Sequence, residues 1–396
     1  MKESKSTFSQ GKTCPLQLEE KFIPCDIKDL EPISSYLKSK KNTSQTISFP
    51  RGTIIDGNRL DLCKQKIGIE GAKLITESLF DNQDITSLMF GADGIFNEGA
   101  IAVSKLLEKN ETIETVYLGC NLIDEVGASA LANSLLDNKS VKSLWIKRNP
   151  IGDKGLDSIS EMLKTNNSIN TLDLVNTEFT LNGLKNLVEV LLENNNSINE
   201  LYLGGNHINK DGAFEIAKLL EKNNIEHLFL NVNNIGDEGI KYISEKLKEN
   251  ISLKSLGLAS NNISSIGAKE LFEVLKDNKS LEKLDLGYSP STKVLGEKAN
   301  CIDDDCLEYI HDFFKSNNTL KSIDFVNNNF SDIGLEKIIE SLENNFSIIK
   351  FTINLKNNKE LSYKLRDIIN RNKEKDGDLS FSRKNIEAIK SVYRTK

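Results

Sequence analysis

A glycine recurs along this chain with a period of 28 residues, and this period constrains the fold more than any other feature. The recurring glycines are Gly71, Gly99, Gly127, Gly155, Gly183, Gly212, Gly239, Gly267 and Gly334. Cys306 takes the same position within the longer interval between the last two. An Ile or a Phe lies four residues before each position, and an Asn lies eleven residues after it. Such a period predicts a solenoid, in which each repeat packs against its neighbours.

One repeat, residues 113–140, shows how the unit folds. Val116 and Leu118 flank Tyr117 with the two-residue period of a strand that buries one face. Beyond Asn121 the apolar spacing becomes helical, at Ala128, Leu131, Leu135 and Leu136. We predict eleven parallel strands on one concave sheet, with no antiparallel pairing between Leu60 and Phe325, and helices on the convex side.

Polar and small residues at fixed places in the repeat have structural interpretations. We expect Asn121 and its equivalents to form a hydrogen-bonded ladder at the bend after each strand. Gly127 should allow neighbouring helices to approach closely, because a larger side chain would separate the layers. Asn138 is interpreted as a left-handed helix stop.

These residues resemble the ribonuclease-inhibitor-like branch of the leucine-rich repeats. The segment Leu253-Lys-Ser-Leu256-Gly-Leu258-Ala-Ser-Asn261-Asn-Ile263 matches the family consensus Leu-x-x-Leu-x-Leu-x-x-Asn-x-Ile/Leu position by position. The resemblance implies an α/β fold, a right-handed solenoid horseshoe with a concave parallel β-sheet and convex α-helices. Eleven strands at roughly 4.8 Å spacing would line an inner arc of ~50 Å, enough to hold a folded protein.

The limits of the periodic part divide the chain. We expect a disordered tail over residues 1–20, an N-terminal cap over 21–56, leucine-rich repeats over 57–355 and a helical C-terminal cap over 356–396. The C-terminal cap should contain two helices, Leu361–Asn372 and Ser382–Tyr393. Such caps keep the end faces of a solenoid out of water.

Charge and composition exclude several functional classes. A net charge of −7 argues against general nucleic-acid binding. No apolar run approaches the roughly 18 residues that span a bilayer, and no secretory signal precedes the repeats. Six cysteines without a framework spacing indicate reduced thiols in the cytoplasm. We expect no cofactor and a monomer.

The middle residue of each strand should point into the concave face. In chain order these residues are Asp61, Met89, Tyr117, Trp145, Asp173, Tyr202, Phe229, Gly257, Asp285, Asp324 and Thr352. Large side chains cluster in the first half, beside the basic pair Lys147 and Arg148. We predict that these side chains are exposed and bind a partner, since Trp, Tyr and Arg dominate interface hot spots. Packing of the aromatic residues on one another is the alternative. Asp173 should pair with a cation of the partner or, in the free protein, with Arg148.

Two further features interrupt the repeat. An insert at 287–299, where the repeat is about eleven residues longer than the period, should project at the rim of the concave face, and its Tyr288 is a candidate contact. The adjacent Cys301, Cys306 and His311 could suggest a metal site, but the repeat register already explains each of them. We therefore predict no metal.

The motifs of common enzymes do not occur in the sequence, and the resemblance implies a non-catalytic protein–protein interaction module. It would act as a scaffold, adaptor or inhibitor that binds a folded partner on its concave face. Similar repeat proteins of intracellular bacteria are exported into host cells as effectors, which is one expectation here, by a route without a signal peptide. The alternative is a GTPase-activating protein resembling the Ran GTPase-activating proteins, although the C-terminus Tyr393-Arg-Thr-Lys396 is basic where that family has an acidic tail.

Overall fold

A computed structural model describes residues 22–39, 44–355, 358–376 and 384–393. Its strands are β1 Ile47–Ser48, β2 Thr53–Ile55, β3 Arg59–Asp61, β4 Ser87–Met89, β5 Thr115–Tyr117, β6 Ser143–Trp145, β7 Thr171–Asp173, β8 Glu200–Tyr202, β9 His227–Phe229, β10 Ser255–Gly257, β11 Lys283–Asp285, β12 Ser322–Asp324 and β13 Lys350–Thr352. They form one 13-stranded sheet in chain order.

A helix follows each repeat strand. The helices are α1 Glu31–Lys38, α2 Gly68–Ser78, α3 Phe96–Leu107, α4 Glu125–Leu135, α5 Gly152–Leu163, α6 Leu181–Glu193, α7 Lys210–Glu221, α8 Gly236–Leu247, α9 Ser265–Leu275, α10 Thr292–Leu295, α11 Leu307–Ser316, α12 Asp332–Ser341, α13 Lys359–Asp376 and α14 Lys384–Ala388. Helices of consecutive repeats pack side by side, and one continuous apolar core lies between them and the sheet.

The eleven strands β3 to β13 are parallel, as the repeat register predicts. The residues predicted to face the concave side, each the last residue of its observed strand, pair along the whole row, from Asp61 with Met89 to Asp324 with Thr352. The expectation that no antiparallel pairing would reach Leu60 is wrong, because β2 pairs antiparallel with β3 and places Ile54 opposite Leu60. This hairpin extends the sheet and covers the N-terminal edge of the first repeat.

Asparagines at the strand ends tie each repeat to the one before it. The side chain of Asn149 accepts hydrogen bonds from the backbone N–H groups of Asn121 and Ile123, at 2.9 and 3.1 Å. Its amide donates to the carbonyls of Leu118 and Ile146. The donor bond to a carbonyl of the preceding repeat is also made by Asn121, Asn206, Asn233, Asn261, Asn300 and Asn328. The Oδ1 of Asn261, unlike that of Asn149, has no hydrogen-bond partner among the described residues. The ladder satisfies backbone groups in the bends that the sheet cannot reach.

A second ladder runs along the helix ends, and it corrects the interpretation of Asn138. Asn138 donates to the carbonyls of Leu107 and Asn110 and accepts from the N–H groups of Ser140 and Val141. Its backbone is not left-handed. The residue therefore joins neighbouring repeats rather than stopping its helix by an unusual backbone conformation.

Two repeats build this second ladder from unexpected residues. Asn195, not Asn194, occupies the buried position, because the repeat that contains it is one residue longer. In the next repeat Lys222 Nζ donates to the carbonyls of Leu191 and Asn195, at 2.7 and 2.8 Å, while Asn223 is exposed. Burial lowers the pKa of Lys222.

The ends of the solenoid are covered by helices. At the N-terminal end α1 places Leu30 and Ile33 in the core, and Leu30 lies so close to Gly71 that a Cβ there would approach it to 2.7 Å. At the other end α13 buries Leu361 and Leu365 against the last repeat. The proposed disordered tail, residues 1–20, lies outside the described residues.

Asp93 occupies the position of the ladder asparagine in its repeat, where a carboxylate cannot make the donor bonds of an amide. Its Oδ1 accepts from the N–H groups of Gln65 and Lys66, but its buried Oδ2 has no hydrogen-bond partner in the described part of the chain. Burial, as the largest cause, raises the pKa of Asp93 well above its usual value. A raised pKa means that the folded state favours the protonated acid, so stability is lost as the pH rises from the unfolded pKa through the folded pKa.

We expect Asp93→Asn to raise the free energy of unfolding by about 1–3 kcal/mol at neutral pH. The new amide can donate to the carbonyl of Phe90, three residues earlier, as Asn149 does to that of Ile146. Urea unfolding between pH 5 and pH 8 measures this, and the gain should grow with pH. Asp137→Asn, at an exposed aspartate, is the charge-matched control. An equal gain from both variants would contradict the assignment.

Candidate interaction surface on the concave face

A segment of the chain itself covers part of the concave row, which consists of the residues from Asp61 to Thr352 that were predicted to face the concave side. Residues 384–393, here called the C-terminal segment, form the one-and-a-half-turn helix α14 followed by a turn. The expected helix Ser382–Tyr393 is therefore shorter, and residues 382–383 are outside the described residues. The segment lies across strands β8 to β2 on the concave face and not over the end of the solenoid.

Two isoleucines make the apolar contact of the segment. Ile389 is 8% exposed and Ile386 is half-buried, and both join a cluster with Cys63, Met89, Tyr117, Trp145 and Tyr202. The two isoleucines are three residues apart, so they project from one side of the helical turn. This cluster is separate from the core between the sheet and the helices.

Polar contacts fix both ends of α14. Before the isoleucines, Asn385 Nδ2 donates to Thr171 Oγ1 at 2.6 Å and to Glu200 Oε2 at 3.1 Å. Between them, at the C-terminal end of α14, the carbonyl of Glu387 accepts from Arg59 Nη1 at 2.7 Å and that of Ala388 accepts from Ser87 Oγ at 3.1 Å. These donors bond carbonyls at the end of the helix, and the carbonyl of Glu387 also accepts from the N–H of Lys390 at 3.1 Å.

Asp61, the first residue of the concave row, holds the end of the segment. Its two carboxylate oxygens accept from Ser391 Oγ at 3.0 Å and from the N–H of Val392 at 2.8 Å. Tyr393 Oη and Thr53 Oγ1 lie 2.6 Å apart. Because Asp61 is fully buried, its charge depends on these hydrogen bonds and on the one from the N–H of Cys63.

The prediction that the first half of the row is exposed is wrong. Trp145 is 1% exposed, Met89 0%, Tyr117 4% and Asp173 1%. Aromatic side chains on adjacent strands would leave a large apolar patch in water, and the C-terminal segment removes that patch. The predicted Arg148–Asp173 pair is also replaced, because Lys147 Nζ lies 3.8 Å from Asp173 Oδ2 and 5.6 Å from the Tyr117 ring centre.

Tyr202 and Phe229 form the accessible continuation of the aromatic row. Their rings stack at 4.6 Å between centres, and Tyr202 also packs on Trp145 at 5.1 Å. Tyr202 Oη donates to the buried Glu200 at 2.6 Å, which fixes the ring. Both rings are half-buried, as is Arg148.

The insert 287–299 folds back over the loops that follow β8 to β10. Thr292 Oγ1 lies 2.7 Å from Ser260 Oγ, and Glu297 pairs with His207 Nδ1 at 2.5 Å. The hydrogen bond that His207 donates to the Glu297 carboxylate raises the pKa of His207. Leu295 reaches Gly205, and a pocket of about 220 Å³ remains between the insert and the concave face. Tyr288 is half-buried and does not line this pocket.

The second half of the row is polar. Asp285 accepts from the amide of Asn231 at 3.3 Å and from the N–H of Gly287 at 3.0 Å. Burial raises the pKa of Asp285, and the nearby Asp324 adds to that effect. A side chain at Gly257 would meet Asn231 and Phe229, so this position has no room for one.

The residues that suggested a metal are placed by the repeat. Cys306 is buried in the core at the glycine position, and burial raises the pKa of its thiol to about 12. His311 Nδ1 lies 3.0 Å from Ser341 Oγ on the next helix. Among the described residues no group of three or more His, Cys, Asp and Glu could hold a metal ion. In the same ranges no helix is long and apolar enough to cross a membrane.

The sequence model of the leucine-rich repeat family matches residues 137–160, 194–217, 221–244, 249–272 and 316–338. The chain carries leucine-rich repeats. Together with the parallel sheet and the regular alternation of strands and helices, this makes the fold an α/β leucine-rich-repeat solenoid.

Two solved structures are similar to the chain. One is leiomodin-1 actin-binding site 2, which is 23% identical over 42% of this chain and 90% of that chain, with a TM-score of 0.35. The other is the Rad7 and Elc1 complex in yeast, 17% identical over 78% of this chain and 85% of that chain, with a TM-score of 0.42. At these TM-scores the likenesses carry no argument about partners. No curated protein matches the chain.

The docked segment allows a direct test, since Trp145 is the sole tryptophan of the chain. Replacing Ile386 and Ile389 together with Asp removes about 3 kcal/mol of apolar stabilisation and should release the segment. We expect the fluorescence of Trp145 to shift to longer wavelength and to become more sensitive to acrylamide, while far-UV circular dichroism stays unchanged.

Lys390→Asp is the matched control within the same segment, because the side chain of Lys390 is exposed. Unchanged tryptophan fluorescence in the double variant would show that the segment does not cover Trp145 in solution.

Proposed function

We propose that the protein is a non-catalytic interaction module whose concave face binds a folded protein partner, and that the C-terminal segment occupies part of this face until the partner replaces it. The observation that supports the proposal most is the docked segment itself. The concave face holds a helical turn through an apolar pair, Ile386 and Ile389, and through donors for its last carbonyls. A surface that binds a helix within its own chain is suited to bind one from another protein.

The residues of the concave face would then have distinct parts. Met89, Tyr117 and Trp145 would receive apolar side chains of the partner after the segment leaves. Tyr202 and Phe229 continue the same surface and are already accessible. Further contacts would come from Lys147, Arg148 and Tyr288 at the rim, and from Asp173 within the row once the segment has left.

Exchange between segment and partner would be favoured by the larger surface that a folded partner can contact. The described contacts lie on β2 to β8 and rest on two isoleucines and a few hydrogen bonds. A folded partner could use these positions and also the row from Phe229 to Thr352, so it would bury more surface than the segment does. The linkage to the chain favours the segment only through its high effective concentration.

The chemistry of the groove defines what the partner must offer. The two isoleucine sites call for large apolar residues three positions apart on a helix. Glu200 and Thr171 call for a side-chain donor just before them, as Asn385 provides. Arg59 and Ser87 are hydrogen-bond donors, so the partner must present backbone carbonyls as acceptors at the end of its helical turn.

Finer assignments rest on the sequence. We infer a ribonuclease-inhibitor-like subtype from the resemblance and a cytoplasmic location from the cysteines, which lack a framework spacing. We also infer a monomer, with the scaffold, adaptor or inhibitor role left open. The role of a bacterial effector exported into a host cell, and the alternative of a GTPase-activating protein, stay predictions.

A library of helical peptides displayed on phage tests the proposal across many candidate partner sequences at once. The target is the open variant, in which Ile386 and Ile389 are both Asp. We expect enrichment of peptides with two large apolar residues three positions apart, preceded by Asn, Gln or another donor. Binding should be weaker to the wild-type chain, whose own segment competes.

The control target is the open variant with Trp145→Ala. Loss of the aromatic anchor should weaken the selected peptides by about thirtyfold, the effect of truncating an interface hot spot. Selection of unrelated sequences, or equal binding with and without Trp145, would contradict the proposed function.

A further inference from the structure

The pocket between the insert and the concave face is built from three parts of the chain. The stacked rings of Tyr202 and Phe229 form one wall. Loop residues after β6 to β9 form the base, and Ser289, Ser291 and Leu295 of the insert form the opposite wall. The pocket adjoins the C-terminal segment, because Tyr202 contacts both.

Glycines open the base of this pocket. Gly205 has a left-handed backbone with φ of 70°, and a Cβ there would approach Leu295 Cδ1 to 2.9 Å. At Gly204 a Cβ would lie 2.6 Å from the carbonyl oxygen of Asn231. Leu295 of the insert therefore sits on the backbone of Gly205, and a pocket remains beside it.

Arg148 gives the pocket its charge. Its backbone is left-handed, with φ of 57°, and its N–H donates to the carbonyl of Val175 at 2.8 Å, which fixes the residue on the pocket rim. Among the described residues Arg148 takes part in no ion pair. The neighbouring charges are compensated, because Lys147 pairs with Asp173 and His207 pairs with Glu297.

The size of the pocket limits its ligand. Sites for cofactors and drug-sized molecules have volumes of roughly 300–1,000 Å³, so 220 Å³ suits one large side chain. The stacked rings and Leu295 favour an aromatic ring. An unpaired guanidinium at the rim favours a carboxylate beside that ring, because arginine forms strong, charge-assisted hydrogen bonds with carboxylates.

We propose that this pocket is a specificity site for a protein partner, which inserts one aromatic side chain between Leu295 and the Tyr202–Phe229 pair and places a neighbouring acidic side chain on Arg148. The site rests on the proposed function and adds a second anchor to it. The insert then serves as the wall that makes a side-chain pocket from an open sheet edge.

Three dipeptide probes test the site on the full-length protein. They are N-acetyl-Asp-Phe-amide, N-acetyl-Asn-Phe-amide and N-acetyl-Asp-Ala-amide. Titration is followed by the backbone amide NMR signals of Gly204 and Gly205. We expect saturable shifts with the Asp-Phe probe, about five- to tenfold weaker binding of the Asn-Phe probe, and no saturation with the Asp-Ala probe.

Variants assign the two interactions. Arg148→Gln should bind the Asp-Phe and Asn-Phe probes equally, whereas the charge-matched surface control Lys154→Gln should keep the preference. Ser291→Trp fills the pocket and should abolish binding of all probes. Leu295→Ala should weaken both Phe probes in the same proportion, because it removes apolar contact and leaves Arg148 in place.

Several results would overturn the proposal. They are absence of saturable shifts at the two glycines, equal binding of all three probes, or a preference for Asp-Phe that survives Arg148→Gln. Shifts that follow protein concentration in the absence of probe would assign the pocket to a second copy of the chain. The helical-peptide selection reports on Trp145, so it can succeed when this site fails, and the converse also holds.

Discussion

The hydrogen bonds between the strand-end asparagines and the preceding repeat are the interaction on which the rest of this structure depends. Each asparagine donates to backbone carbonyls of two repeats, as Asn149 does to Leu118 of the preceding repeat and to Ile146 of its own. These bonds fix the height of each repeat relative to the next. With the register fixed, the middle residue of every strand falls into a single row.

The single row forms the surface that holds the C-terminal segment. Part of this row is apolar and is not covered by the repeats themselves. Residues on the other face of the sheet are covered by the helices, but no helix of the repeats covers the concave row. Where the row is polar, as at Asp285 and Asp324, water or local hydrogen bonds are enough to stabilise the side chains. Where it is aromatic, from Met89 to Tyr202, the apolar surface needs a cover, and the C-terminal segment provides it.

Much of this could be predicted from the sequence, because periodicity carries both the fold and the register. The strand positions, the concave residues and the close approach of the helices at Gly127, where a Cβ would lie 3.2 Å from Ala100, all follow from the 28-residue period. The predictions from the sequence were wrong or missing for residues whose contacts the period does not determine. Lys222 replaces a ladder asparagine through a long flexible stem that can reach the same two carbonyls.

The position of the C-terminal segment could not be derived in the same way. Ile386 and Ile389 show that a short helix has one apolar side, but not which surface receives it. The repeats contain nothing that covers the aromatic row, and the short helix contains nothing on which Ile386 and Ile389 could pack. Only the two observations together indicate that the helix packs on the row. The path of the insert back to Gly205 had no comparable signal, because it depends on the loop geometry of a repeat three strands away.

The central claim is that the concave face is a binding groove occupied by the chain's own C-terminal segment. Calorimetric titration of a synthetic peptide of residues 384–396 into the open variant, with Asp at positions 386 and 389, tests it most directly. The account predicts saturable binding of one peptide per chain, which is lost when the peptide carries Ala at both isoleucine positions. Absence of binding to a folded open variant, or equal binding of the two peptides, would contradict it.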